Sequence, residues 1–329
     1  MNGQRIVVTG ATGFVGKRLC RALTDRGYQL RILARSDKED AYFRSLSAEI
    51  LHADVTDPDM PVGLMEGADG VIHMAAVVSR AGLADTEFYD VHVAATRRLL
   101  DAAAAAGVKK FVHVSTIGVL GHIVHPPADE ETPYNVHDIY QITKAEGEKA
   151  ALAAHDPNRL SVTVVRPAAV YGPGDRRLLK LFRTVARGTF RMIGDGKTLT
   201  HPVYVDDLVD GIIAAYESAI SGGRVYILGG PRAVTLNEWV ATIATAADRP
   251  SSGMTIPYAP VWLAAVICEA VCGVLRIEPP LFRRRVDFFV KNRAFSIDRA
   301  RKELGYDPSV DIADGAEKTL AWYRTAGLL

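Results

Sequence analysis

Residues 5–9, Arg-Ile-Val-Val-Thr, form a short apolar β-branched run, and TGATGFVG follows at once, with Gly10, Gly13 and Gly16 spaced G-x-x-G-x-x-G. A helix-forming segment, KRLCRALTDRG, comes next. Strand, tight glycine turn and helix are the setting in which this spacing binds a dinucleotide. Gly10 turns the chain sharply, Gly13 lets the backbone approach a pyrophosphate at the helix N-terminus, and Gly16 lets the helix lie close to the sheet.

The second strand, Gln29–Ala34, bears on which dinucleotide. In NAD-binding proteins an acidic residue near its end grips the ribose 2′-hydroxyl. Here Ala34 stands at that place, followed by Arg35, Ser36 and Lys38. An arginine pairs with a 2′-phosphate that a carboxylate would repel. The expected cofactor is NADP(H) in preference to NAD(H). The alternative is a site open to both, with Arg35 and Lys38 as solvated loop charges.

With 329 residues, 48% apolar and 23% charged, the chain is long enough for one large or two smaller soluble globular domains. A net charge of +1 gives no electrostatic footprint for nucleic acid. Three cysteines are too few for a disulfide framework, and Cys268 and Cys272, four apart, lack a zinc spacing. They are expected to be reduced packing residues, with no metal. No signal peptide precedes the first strand, so a cytoplasmic location is expected.

The first half alternates strands and helices in the manner of a doubly wound parallel sheet. Expected strands are Ile6–Thr9, Leu30–Ala34, Glu49–His52, Gly70–Met74, Phe111–Ser115 and Ser161–Arg166, with helices around Thr96–Ala106 and Tyr140–His155. The expected division is a dinucleotide-binding domain over 1–170 and a smaller mixed α/β substrate lobe over 171–329, where Gly and Pro become frequent. The two are interleaved, because Arg224–Leu228 reads as a strand that returns to the sheet.

Tyr140 and Lys144 form YQITK, and an i,i+4 spacing on a helix puts both side chains on one face. A tyrosine ionises near pH ~10, too high for proton exchange near neutrality. A neighbouring ammonium favours the phenolate and lowers that value. Such a tyrosine can protonate an alkoxide as hydride arrives, or take the proton as hydride leaves. Ser115 and Thr116 end the preceding strand, where a hydroxyl can hold a substrate oxygen against Tyr140.

With these motifs in this order the chain resembles the extended short-chain dehydrogenases/reductases. This is the NAD-dependent epimerase/dehydratase superfamily, which includes nucleotide-sugar epimerases and 3β-hydroxysteroid dehydrogenases, and the likeness is to the steroid-dehydrogenase branch. It covers nearly the whole chain and implies a Rossmann-type fold. TGATGFVG resembles the family cofactor loop, which puts Thr12, Phe14 and Val15 with the glycines at the cofactor. Asp54-Val55 resembles the pair beside the adenine, and HMAA, with Ala75 and Ala76, the segment along the nicotinamide. VSTIGVLG resembles the strand end bearing the catalytic hydroxyl; position before Gly121 gives that role to Thr116, not Ser115. YQITK then supplies catalytic Tyr140 and Lys144, which also meet the cofactor, Lys144 at the nicotinamide ribose. RPAAVYGPGD, with Pro167 at the cofactor, HPVYVDDLVDGI and RKELGYDP resemble the later signatures. Val78, His92, Gly118, Ala169, His201 and Tyr204 are expected to line the substrate site. The resemblance also implies a homodimer through the helices around Thr96–Ala106 and Tyr140–His155.

The chain departs from the family pattern in several places. His92 stands in HVAAT where many relatives have asparagine. Ala169 replaces an asparagine that contacts the diphosphate of sugar nucleotides, and Ile117-Gly118 follow Thr116 where dehydratases place acidic residues. The last two weaken a sugar-nucleotide assignment. Residues 256–275 are strongly apolar, and Arg283-Arg284-Arg285 follow. Two readings stand: a buried helix of the small lobe, or an apolar wall or lid over a hydrophobic substrate, resting on a membrane surface beside the basic triplet. His122 and His125 sit in a loop bordering the site without a ligand cluster, and Asp206 and Asp207 are expected to cap the helix that follows them.

The reading that results is an NAD(P)-dependent oxidoreductase acting on a secondary alcohol or ketone of sterol, lipid or aromatic type. One rival is a nucleotide-sugar epimerase that retains its cofactor tightly. The other is a non-enzymatic cofactor-binding subunit, against which the intact Thr116, Tyr140 and Lys144 argue.

Overall fold

The computed structural model describes residues 3–59, 63–78, 83–250, 254–275, 277, 280–281 and 283–329, the side chains of Val274, Arg284 and Arg285 excepted. Six strands alternate with helices through the first half: β1 Arg5–Thr9, β2 Gln29–Ala34, β3 Glu49–His52, β4 Gly70–His73, β5 Lys110–Val114 and β6 Ser161–Pro167. The helices between them are α1 Phe14–Asp25, α2 Asp40–Ser45, α3 Asp85–Tyr89, α4 Ala95–Ala105 and α5 Ile139–Ala153. The strand Val225–Leu228 does return, pairing in parallel with β6. The sheet order is Val225–Leu228, β6, β5, β4, β1, β2, β3, every neighbouring pair parallel.

Both faces of the sheet are covered, and the two-residue period of a strand explains how. Ile6 and Val8 of β1 point into one core, with Leu19 and Leu23 of α1 and Ile212 of the helix Val205–Glu217. Val7 points into the other, with Leu99 and Ala103 of α4. In β5, Val112 joins the first core and Phe111 the second. Strand order reverses between β1 and β4. The crevice beyond the C-terminal strand ends at such a switch point is where open α/β sheets bind ligands.

The first core runs on into the C-terminal half, where Tyr171 packs on Trp239 (ring centroids 4.9 Å apart) and Phe182 on Tyr323 (5.5 Å). Short strand pairs link its loops, Ala169–Tyr171 beside Pro202–Tyr204 among them. Asp206 and Asp207 do not cap the helix Val205–Glu217; its N-cap is Tyr204, without a side-chain bond. Asp207 instead accepts from the backbone amides of Ser309 and Val310 at 3.2 and 3.1 Å, and Asp206 pairs with Arg18 at 3.5 Å. Both carboxylates still sit in the first turn, where the helix dipole favours them.

The apolar stretch forms one helix, Tyr258–Leu275, and its side chains correct the expectation of a buried element. Ala265 and Cys272 are buried, but Leu263, Ile267, Val271 and Leu275, four apart and so on one face, are each more than half exposed. Glu269, the only charge in the helix, is drawn to Arg283 at 2.6 Å. The side chains of Arg284 and Arg285 lie outside the described residues. Among the described residues no helix is long and apolar enough to cross a membrane.

Candidate active site

The loop after β1 is shaped for a close approach. Gly10 has φ +73°, and a Cβ there would come within 2.7 Å of the Ala75 amide and the Met74 carbonyl carbon. A Cβ on Gly16 would overlap the Gly10 and Ala11 carbonyl oxygens, so this glycine lets α1 sit on the turn itself. Gly13 is the N-cap of α1. Among the described residues no side chain caps that end, and its first turn holds no acidic residue, so its amides are open to an anion. Thr12 is exposed, Phe14 and Val15 are half-buried, and these residues fit a pyrophosphate.

Beyond β2 and β3, Arg35 and Asp54 face one another at 3.7 Å, with the Arg35 side chain 77% exposed. Burial raises the Asp54 pKa, but hydrogen bonds from Thr56 and the Arg35 charge outweigh it and hold the carboxyl below its ordinary value. Val55 is buried beside it. Ala75 is half-buried and Ala76 exposed where the chain leaves β4, and Val78 is exposed beyond them.

Asp138 starts α5. Its carboxylate accepts from Gln141 N at 2.8 Å, and the Gln141 side chain accepts from His137 N at 2.8 Å, a reciprocal cap that fixes the first turn. Tyr140 therefore lies in that turn, half-buried, with Lys144 one turn on. Lys144 is buried and donates from Nζ to Val114 O at 2.7 Å. Burial pushes its pKa down from 10.5 to about 8, with the Glu148 charge opposing.

The two hydroxyls at the end of β5 are distinguished by their partners. Ser115 is buried and donates to Glu148 Oε2 at 2.5 Å. Thr116 caps the short turn Ile117–Leu120, accepting from Gly118 N at 3.1 Å, and so keeps its own proton for another acceptor. A Cβ on Gly118 would sit 3.3 Å from that oxygen, so the glycine keeps the approach open. Of the two hydroxyls, Ser115 is committed to Glu148, whereas Thr116 has no acceptor among the described residues.

Sequence reasoning missed what holds Ser115. Glu148, fully buried, also accepts from Arg166 Nη2 at 2.6 Å, Arg166 Nε at 3.0 Å and Tyr134 Oη at 2.9 Å. The signal was present: an arginine inside the apolar strand SVTVVRP must find a buried partner.

Three expected substrate positions are part of the core instead, among them His92, 1% exposed with both ring nitrogens hydrogen-bonded inside the protein. His201 is 2% exposed; its ring stacks on Phe295, and Nε2 donates to Gly230 O at 2.9 Å. Tyr204 is 4% exposed, edge-on to Tyr171. Both were placed at the cleft by their neighbourhood in the sequence, but the aromatic packing there turns them inward. Ala169 is half-buried and opens the strand pair, its amide bonded to His201 O at 3.0 Å. Pro167 closes β6, buried.

A glycine turn against an uncapped helix, at the switch point of a parallel sheet, with Thr116, Tyr140 and Lys144 on the adjoining elements, is a dinucleotide oxidoreductase arrangement. A model of the NAD dependent epimerase/dehydratase family matches residues 6–229. The chain belongs to that family. This epimerase/dehydratase-family chain is 29% identical to the 2-alkyl-3-oxoalkanoate reductase of Stenotrophomonas maltophilia (strain K279a), over 96% of this chain and 98% of the relative. It is 28% identical to the 3 beta-hydroxysteroid dehydrogenase/Delta 5-->4-isomerase of Mycobacterium tuberculosis (strain CDC 1551 / Oshkosh), over 97% and 90%. It is 32% identical to the dTDP-glucose 4,6-dehydratase of Streptomyces griseus, over 97% and 94%. The crystal structure of gox2253 superposes with a TM-score of 0.83 at 30% identity, covering 99% of each chain. The protein is an enzyme of the NAD-dependent dehydrogenase/reductase type within this family.

Proposed function

We propose that this enzyme interconverts a ketone and its secondary alcohol on an apolar substrate of lipid, sterol or aromatic type, preferring NADP(H). The observation that carries the reading is the Thr116 hydroxyl. Its oxygen is engaged by Gly118 N, its proton has no acceptor among the described residues, and Ile117 and Gly118 after it bring no carboxylate. That arrangement suits one donor to a carbonyl oxygen, with a second from the first turn of α5, where Tyr140 stands. The nicotinamide, when bound, supplies or accepts the hydride. Thr116 orients the substrate oxygen. Tyr140 delivers the proton to it in reduction, or takes it in oxidation. Lys144, held on Val114 O, keeps a cation one turn from the tyrosine and favours its phenolate.

The names of the relatives support the substrate class, since one is a 2-alkyl-3-oxoalkanoate reductase and another a 3 beta-hydroxysteroid dehydrogenase/isomerase. The dehydratase relative supports the rival reading of a nucleotide-sugar substrate. Ala169 counts against it, as a methyl offers no amide to a diphosphate. In the favoured reading the partners are a small molecule and a second copy of the chain. Calorimetry with the cofactor-loaded enzyme decides the substrate. A bulky apolar ketone should bind and be reduced, and a dTDP- or UDP-sugar should do neither. Micromolar binding of the sugar nucleotide alone would establish the rival.

A further inference from the structure

Two buried histidines lie behind the site, and their hydrogen bonds can be assigned proton by proton. Ala75 N donates to Thr9 Oγ1 at 3.3 Å, and Thr9 Oγ1 lies 2.6 Å from His73 Nδ1. His73 Nε2 lies 3.0 Å from Thr96 Oγ1, which spends its own proton on His92 O at 2.7 Å. Thr96 must therefore accept from His73 Nε2–H, and in the neutral ring Nδ1 accepts from Thr9. The second chain runs alongside. Val77 N donates to His92 Nε2 at 3.0 Å. His92 Nδ1 lies 2.9 Å from Thr143 Oγ1, which spends its proton on Ile139 O at 2.7 Å. His92 is thus the Nδ1–H tautomer and His73 the Nε2–H tautomer.

We propose that His92, with His73 behind it, is a positioning residue: the paired relays fix the Ala75–Val77 segment at one end and the first turn of α5, hence Tyr140, at the other. The backbone is arranged for it. His92 stands on a π-helical segment, Asp90–Ala94, of the kind that recurs at functional sites. A Cβ on Gly147 of α5 would overlap the His92 carbonyl, so the two elements meet there because this residue is a glycine. The His92 ring also sits edge-on to the Tyr140 ring, centroids 5.5 Å apart at 83°. An imidazole reaches across this gap with an acceptor at one end and a donor at the other. Burial, reinforced by the Lys144 cation, keeps both rings neutral, at about 3 against an ordinary 6.5.

The inference rests on the oxidoreductase reading for its kinetic consequence but not for its geometry, so two measurements separate them. Nitrogen-15 spectra of the cofactor-free protein report the tautomers directly. Nδ1–H at His92 and Nε2–H at His73 are expected, and Nε2–H at His92 overturns the relay whatever the enzyme does. With an accepted ketone, His92→Leu should lower kcat by about 10²-fold, the scale of a misplaced catalytic group, while cofactor affinity stays within about twofold, well below the tenfold that 1.4 kcal/mol represents. His92→Asn, whose amide can still accept from Val77 and donate toward Thr143, should recover part of that loss. Thr143→Val removes only the hydroxyl that receives the Nδ1 proton, and should lower kcat in the same direction even if the leucine variant does not fold. An unchanged kcat in folded His92→Leu or Thr143→Val overturns the positioning role.

Discussion

Ser115 Oγ meets Glu148 Oε2 at 2.5 Å inside the protein, on the strand end whose next residue is Thr116. The same carboxylate receives Arg166 through two nitrogens, and neither charged group reaches water. The strand end that carries Thr116 is thus fixed by a buried ion pair between α5 and β6. Replacing Glu148 with Ala leaves a buried guanidinium without its counter-charge, which typically costs about 3–5 kcal/mol. Urea denaturation should show that loss. Glu148→Leu combined with Arg166→Met should be much less destabilising, and equal losses in the two proteins would mean that the pair is not the cause.

Tyr140→Phe keeps the ring against His92 but removes the proton donor. Steady-state turnover should fall by at least ~10²-fold, the contribution of general acid–base catalysis. Fluorescence titration should find cofactor binding nearly unchanged. Normal turnover in this variant would remove Tyr140 from the mechanism.

Arg35 is mostly exposed and 3.7 Å from Asp54. Contact with a 2′-phosphate should favour NADP over NAD by about tenfold, near the lower end for a charge-assisted bond because the site is solvated. Arg35→Ala should erase most of that ratio by weakening NADP. Ala34→Asp with Arg35→Ala should reverse it, as the new carboxylate accepts from the free ribose hydroxyl. An unaltered protein that prefers NAD would leave Arg35 as a surface charge.

Stability should decline in mild acid. Burial, with the nearby Lys144 cation, lowers the pKa values of His73 and His92 to about 3 and that of His113 well below 6.5. Between about 3 and 6.5 the unfolded chain therefore binds protons that the folded chain refuses, so stability is complete above 6.5 and is lost as pH falls through that window. Denaturant midpoints at pH 7, 6 and 5 should fall in that order. Neither ring nitrogen of His113 has a hydrogen-bond partner among the described residues, so His113→Phe should flatten the decline. A midpoint that does not move between pH 7 and 5 would contradict the burial of these rings as neutral species.

The parallel sheet was legible because its strands are short, mostly apolar runs set off by glycine or polar turns, and each of the six lies within a residue or so of where the pattern put it. The choice of Thr116 over Ser115 rested on motif position; the structure adds that Ser115 is bonded to Glu148 while Thr116 accepts from Gly118 N. Which of the two readings of the apolar stretch held, a buried helix or an apolar face left uncovered, was not legible. Hydropathy records that side chains avoid water, but not whether the same chain supplies the cover. His201 and Tyr204 were misplaced for a related reason: a polar or aromatic residue in a signature segment can serve the packing of that segment rather than its ligand. Glu148 was passed over because a glutamate on a helix is ordinarily a solvated one, and only the arginine in β6 hinted otherwise.

The strand Val225–Leu228 stitches the two halves of the gene product together. Val164 N bonds to Arg224 O and Ala168 N to Leu228 O, so the last strand of the cofactor half is flanked on its outer side by chain made some sixty residues later. Cutting near residue 170 would not release a self-sufficient module. It would leave β6 with a bare row of amides and carbonyls, an edge that recruits other chains. During synthesis the nucleotide-binding half must wait for this strand before its border is closed. Grafting a different substrate lobe onto the first half would have to bring an equivalent strand with it.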